Sequence, residues 1–182
     1  YQNLDLVREA RSDHVLVLAG DHVYKMDYSA LLAEHADHGA DLTVACLQVP
    51  IEDASDFGVM TVDAEQRIVH FEEKPARPKA MPGRPGLALA SMGIYAFNTG
   101  FLLELLARDA ADPASSHDFG RDVIPGVLAR ARVFAHRFED SCINMVGGRR
   151  YWRDVGTLDA YWEANLDLTR VVPELNLYDE SW

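Results

Sequence analysis

The stretch VLVLAGDHVYKMDY, residues 15 to 28, constrains this chain more than any other. Val15 to Leu18 form an unbroken apolar run, the pattern of a strand buried on both faces of a parallel sheet. Ala19 and Gly20 then leave room for a sharp turn and for a ligand to approach the backbone. Asp21 follows at the carboxyl end of that strand, where open α/β sheets bind their ligands. An isolated Asp there is more often a helix cap or a turn residue. The next helix, however, has its own cap in Asp27, ahead of Tyr28-Ser29-Ala30-Leu31-Leu32. Asp21 is therefore a spare carboxylate at a pocket-forming position.

With 182 residues the chain is long enough for one domain with a substantial core. Its formal charge, 17 − 29 = −12, argues against a nucleic-acid or anionic-membrane surface, which needs clustered Lys and Arg. A small phosphorylated ligand held by one or two local cations stays compatible with it. Two cysteines, Cys46 and Cys142, make no disulfide framework and fit a reducing cytoplasm. No run approaches a membrane span and no charged-then-apolar leader is present. The chain begins at Tyr1 inside a helical pattern (Leu4, Leu6, Val7, Ala10), which reads as a fragment whose upstream part is lost.

Beyond the opening strand, residues 28 to 38 read as a helix stopped by Gly39, with Leu31, Leu32, His35 and Ala36 on one face. His35 and His38 could share a metal, but no third ligand follows, and a solvated helix end is the better reading. LTVACLQV (42 to 49) is a second buried strand, with Cys46 a small core residue. FGVMTVD (57 to 63) and RIVHFEEKP (67 to 75) read as a hairpin. Residues 75 to 86 hold four of the eight prolines, a loop of the kind that serves as a lid or interaction segment. LALASMGIYAF (87 to 97) returns to strand, and Asn98-Thr99 could cap a helix over 100 to 108. Ser116 to Phe119 start another helix, burying Val123, Ile124, Val127 and Leu128, which Pro125 should kink or delay. Residues 132 to 138 form a strand. Thr157 caps an amphipathic helix carrying Leu158, Tyr161, Trp162, Asn165 and Leu166 on its apolar side. The tail from Val171 to Trp182 should lie on a surface.

Four stretches could carry chemistry. Asp21 with its small neighbours is the first. In Glu72-Glu73-Lys74-Pro75, Lys74 suits a phosphate as a point charge and Glu73 suits hydroxyl groups, with a solvated salt bridge an equal alternative. Alternation sends neighbouring side chains to opposite faces, so both can enter one pocket only if the strand twists there. Ala90-Ser91-Met92-Gly93 is a small polar patch in an apolar strand, where a lone Ser is more often a packing choice. In Tyr151-Trp152-Arg153-Asp154-Val155-Gly156-Thr157 an acid, a Gly and a helix cap repeat the opening pattern. Two surplus acids at element ends suggest a shared divalent cation of the Mg²⁺ type. A Gly-x-Ser-x-Gly elbow, a Cys-x-x-Cys pair, a Walker loop and a Gly-x-Gly-x-x-Gly fingerprint are all missing.

In order along the chain, LAGDHVYKMDY, TVACLQVPIEDASDFGVM, FEEKP, ASMGIYAF, SSHDFGRDVIP and YWRDVGTLDAYWEANLDL resemble the bacterial glucose-1-phosphate adenylyltransferases, also called ADP-glucose pyrophosphorylases. The resemblance implies an α/β fold: a partial Rossmann-like nucleotidyltransferase domain with a mostly parallel mixed sheet flanked by helices. The N-terminal nucleotide loop and the C-terminal β-helix of that family are not found in this sequence. Residues 1 to 170 would be part of the catalytic domain and 171 to 182 a linker toward a further domain. The implied reaction makes ADP-glucose and pyrophosphate from ATP and glucose 1-phosphate with Mg²⁺, for glycogen synthesis. By that resemblance Asp21 is the catalytic, metal-binding acid and Asp154 its metal partner. Gly58, Glu73, Lys74 and Ser91 are the sugar-phosphate contacts, with Lys74 on the phosphate. A cytoplasmic homotetramer is implied for the parent protein, with no nucleic acid or membrane partner, and this fragment alone should be inactive or nearly so. A transferase using UTP or dTTP, or a non-catalytic sugar-phosphate-sensing subunit, is the alternative. The basic loop 146 to 150 is read as solvated rather than regulatory.

Overall fold

A computed structural model describes residues 2–143 and 150–178. In chain order the elements are α1 (Leu4–Ala10), β1 (His14–Val17), β2 (His22–Tyr24), α2 (Tyr28–Asp37), β3 (Leu42–Pro50), β4 (Gly58–Val62) and β5 (Ile68–Glu73). They continue as β6 (Leu87–Asn98), α3 (Thr99–Ala110), β7 (Val133–Arg137), β8 (Trp152–Asp154) and α4 (Leu158–Leu168). The α/β class and the mixed sheet are as the sequence implies, but the sheet is mostly antiparallel rather than mostly parallel. The main sheet runs β5-β4-β6-β3-β7, with β1 paired to the far half of β6. Among the described strands only β3 and β7 pair in parallel. The cause is β6, a long strand that inserts between β1 and β3 and opposes both. β1, β3 and β7 do run in one direction, but β6 separates the first two.

The expectation that residues 15 to 18 are buried on both faces of a parallel sheet is therefore corrected. β1 is half-buried, pairs among the described strands only with β6, and Leu18 beyond it is 45% exposed. Inside the sheet, alternation does place apolar residues on two buried faces. Leu89, Tyr95 and Phe97 of β6 join the core under α3, while Met92, Ile94 and Ala96 join the core under α2. Cys46 is fully buried, and burial raises its thiol pKa, so it is an inert core residue. Between Val44↔Tyr95 and Cys46↔Ser91 the register of β6 slips by a bulge centred on Gly93, whose φ of +67° only glycine adopts freely.

Asp27 caps α2 as expected, accepting from Ser29 N at 2.9 Å, and Gly39 at φ +53° ends it. His35 and His38 are not a solvated helix end. His35 is buried and bonded to Thr43 Oγ1 (2.8 Å) and Asn98 Oδ1 (3.2 Å), while His38 stacks on Phe134. Ala36, expected beside them on the packed face, is exposed. Asn98 takes the N-cap position of α3, but its side chain bonds Ala40 O and His35 instead of capping. Pro125 splits the helix expected from residue 116 into a π-turn, Phe119–Val123, and a 3₁₀ turn, Pro125–Val127, and Leu128 is only half-buried. Thr157 caps α4 as expected.

The face of α4 that packs is not the apolar one. Ala164 and Asp167 are buried, whereas Leu158, Tyr161, Trp162 and Leu166 are exposed, Leu158 by 88%. The inward-turned Asp167 pairs with Arg153 at 3.1 Å and with Arg170 at 2.7 Å. Of the basic loop 146 to 150, residues 146–149 lie outside the described residues, and Arg150 pairs with Glu139.

Candidate active site

Two places in the fold bring the expected site residues together. The first is a two-stranded antiparallel ribbon of β2 and β8, in which His22 stands opposite Asp154. Val155 N donates to Asp21 O at 2.8 Å, which extends the pairing by one residue and draws the two acids to the same end. Asp21, His22 and Asp154 each offer one ligand atom within 4.8 Å of the others. Asp154 Oδ1 also accepts from Gly156 N at 2.7 Å, so this acid is oriented by its own turn. Gly156 is needed there. A Cβ on it would stand 3.0 Å from Asp154 Oδ1 and 3.3 Å from Asp21 Oδ2, in the space between the carboxylates. Two carboxylates facing a cleared space, with an imidazole beside them, are a donor set that fits a divalent cation.

The second place is an open cavity of about 310 Å³, bordered by Val17 to Ala19, Glu73, Gly93, Tyr95 and His117 to Gly120. Gly93 joins the two places, since a Cβ on it would lie 3.2 Å from Ala19 Cβ and 3.5 Å from His22 Cε1. Glu73 sits at the end of β5, opposite Gly58 in register. At Gly58 a Cβ would come within 2.7 Å of Glu73 Oε2 and 2.6 Å of Phe71 Cζ, so this glycine clears room for the carboxylate. Burial raises the pKa of Glu73, the facing charge of Asp118 raises it further, and Lys74 partly offsets both. Two carboxylates across a cavity, one of them reluctant to ionise, are suited to the hydroxyl groups of a sugar rather than to a bare anion.

Lys74 shows how the strand resolves its alternation. Its φ of +46° takes it out of the extended conformation, and its N–H donates to Phe57 O at 3.0 Å. The opposite-face rule therefore stops applying after Glu73, and the ammonium stays close enough to act on the Glu73 carboxyl. Ser91 does not line the cavity. It is buried, accepts from Gly93 N at 3.3 Å and bonds Tyr95, whose ring does line the cavity.

The sequence motifs do not single out His22, which stands by the acid pair, or Tyr95, Asp118 and Gly120, which border the cavity. The pattern Ser116 to Phe119 places Asp118 in a helix start, and it does cap, accepting from Arg121 N at 2.8 Å. The φ of +62° at His117, with its Nδ1 bonded to Asp109 Oδ2 at 2.7 Å, turns the backbone so that Asp118 can also face Glu73. A signal was present in the alternation Ser91, Gly93, Tyr95, which puts the tyrosine on the serine's side of β6.

This combination of mixed sheet, acid pair and sugar-sized cavity defines a class. The chain belongs to the nucleotidyl transferase family, whose model matches residues 1–171. Within it the chain is 60% identical over 182 residues to the glucose-1-phosphate adenylyltransferase of Nitrosospira multiformis and 62% identical to that of Methylobacillus flagellatus. To the corresponding protein of Rhizobium meliloti it is 55% identical over 183 residues. Each alignment takes in 100% of this chain but only 43 or 44% of the relative, so the chain spans less than half the length of the curated relatives it matches.

Proposed function

We propose that the chain is the sugar-phosphate-binding part of an enzyme that makes ADP-glucose and pyrophosphate from ATP and α-D-glucose 1-phosphate. The carrying observation is that the strand end before Asp21, Glu73, Tyr95 and Asp118 border one cavity, next to the Asp21–Asp154 pair. In this reading Glu73 and Asp118 take sugar hydroxyls, Gly58 keeps the floor clear, and Ser91 holds Tyr95 in place. Lys74 neutralises the sugar phosphate. A phosphate oxygen of glucose 1-phosphate attacks the α-phosphorus of ATP in line, and pyrophosphate leaves. Asp21 and Asp154 would hold Mg²⁺, which supplies neutralisation of the transferring group and the leaving pyrophosphate. Residues 1–170 are part of the catalytic domain in this reading and 171–182 a linker. Cytoplasmic location and assembly into a homotetramer belong to the whole protein.

Calorimetric titration of the 182-residue chain with α-D-glucose 1-phosphate tests the proposal. Binding that tightens with Mg²⁺ and is lost in Lys74→Ala and Glu73→Ala is expected. Binding that ignores Mg²⁺ overturns the metal assignment, and no binding under either condition overturns the sugar-phosphate site. In a full-length adenylyltransferase carrying this segment, Asp21→Asn should nearly abolish turnover and leave folding unchanged.

A further inference from the structure

We infer that His22 is a third metal ligand beside Asp21 and Asp154, and that it tilts the site toward first-row transition ions such as Co²⁺ relative to Mg²⁺. The inference rests on the metal-site reading above and adds a residue to it. Register carries the first part of the argument. His22 is the cross-strand partner of Asp154, so their side chains leave the ribbon on the same face.

Packing carries the second part. The His22 side chain is 10% exposed, held edge-on against the Trp152 ring at 4.9 Å and bounded by the Gly93 bulge. Its Nε2 lies 3.6 Å from Asp21 Oδ1, beyond hydrogen-bond reach, and its buried Nδ1 has no hydrogen-bond partner among the described residues. The two fully buried imidazoles, His35 and His136, are bonded at both ring nitrogens, whereas a second half-buried ring, His38, also leaves Nδ1 unpartnered among the described residues. In His22, Nε2, the nitrogen nearer Asp21, makes no hydrogen bond among the described residues, so its lone pair is free for an ion shared with the two carboxylates.

Ligand chemistry carries the third. Mg²⁺ is held by oxygen donors and completes its shell with water, whereas imidazole favours later first-row ions. An all-carboxylate site discriminates less between the two, so the imidazole adds selectively to Co²⁺.

The test titrates the chain with CoCl₂ and, separately, MgCl₂, in the wild type, Asp21→Asn and His22→Gln. Asp21→Asn should lose both ions. His22→Gln should weaken Co²⁺ by about tenfold or more and leave Mg²⁺ within about twofold. Pulsed EPR of the Mn²⁺-loaded wild type should show the ¹⁴N modulation of a coordinated imidazole, absent in Asp21→Asn. This last measurement needs no substitution at position 22 and decides the matter even if His22→Gln fails to fold. Equal weakening of Co²⁺ and Mg²⁺ in a folded His22→Gln, or Mn²⁺ bound through Asp21 without ¹⁴N modulation, overturns the ligand role and makes His22 a positioning residue. Retention of both ions in Asp21→Asn overturns the underlying metal site instead.

Discussion

The carboxylate of Glu73 occupies the space that any side chain at Gly120 would need: a Cβ there would collide with Oε2 and stand 2.9 Å from Cδ. The two residues come from β5 and from the π-turn after Asp118, so their contact closes one side of the cavity.

Gly120→Ala and Gly58→Ala should therefore separate binding from stability. At 120 the obstructed group is the mobile end of a glutamate, so the chain should stay within about 1 kcal/mol of wild-type stability while glucose 1-phosphate affinity falls about tenfold. At 58 the new methyl also meets the buried ring of Phe71, and overpacking should cost about 1–3 kcal/mol. Denaturant unfolding and calorimetry on the two variants check both outcomes. Equal stability losses would show that the Glu73 side chain cannot move aside.

Glu73 should make stability depend on pH. Its folded pKa is raised, first by burial and then by Asp118. Between the unfolded and folded values the native chain binds more protons than the unfolded one, so raising pH through that window lowers stability. Glu73→Gln should melt higher than wild type at pH 8, and the difference should shrink as pH falls toward about 3, where the carboxyl is protonated in both states. Thermal melts across that range read it directly.

His35 should act in the opposite sense. Burial holds its pKa below the ordinary imidazole value, so the unfolded chain takes up the proton first as pH falls below about 6.5, and stability drops there. His35→Ala removes that dependence but strands Thr43 Oγ1 and Asn98 Oδ1, which should cost about 2–4 kcal/mol at neutral pH. Urea titrations at pH 5 and pH 8 distinguish the two effects.

Gly156→Ala should disturb the acid pair without touching the core. The methyl would enter between Asp21 and Asp154, so divalent-ion affinity should fall by about tenfold while the melting temperature changes little. Unchanged affinity would mean that the ion does not sit between these carboxylates.

Trp162→Ser offers a test of α4. A buried tryptophan would cost about 3–5 kcal/mol on truncation, but Trp162 is 62% exposed, so the change should stay within about 0.5 kcal/mol. Solubility of the isolated chain should rise as the exposed stripe is broken.

Local patterning made much of this legible in advance. Asp27 and Thr157 cap the helices at the expected residues, the β4–β5 hairpin forms where alternation predicts it, and Gly39 ends α2. These features depend on residues within a few positions of one another, which a linear reading can see. The spare acids Asp21 and Asp154 were also visible, because each stood beside a cap that did not need it.

What tertiary structure alone decided is pairing across distance. The insertion of β6 between β1 and β3 makes the sheet mostly antiparallel, and no property of Val15 to Leu18 records that. The face of α4 that packs carries Ala164 and Asp167, the latter meeting Arg153 and Arg170, and the apolar stripe is left exposed. Likewise VLVLAGDHVYKMDY presents Asp21 as a spare acid, but only the β2–β8 register puts His22 opposite Asp154 and so brings an imidazole beside the two carboxylates. Caps, turns and alternation are set by neighbours along the chain. Direction, register and the meeting of charges 133 residues apart (154 − 21) are set by which surfaces the whole fold brings together.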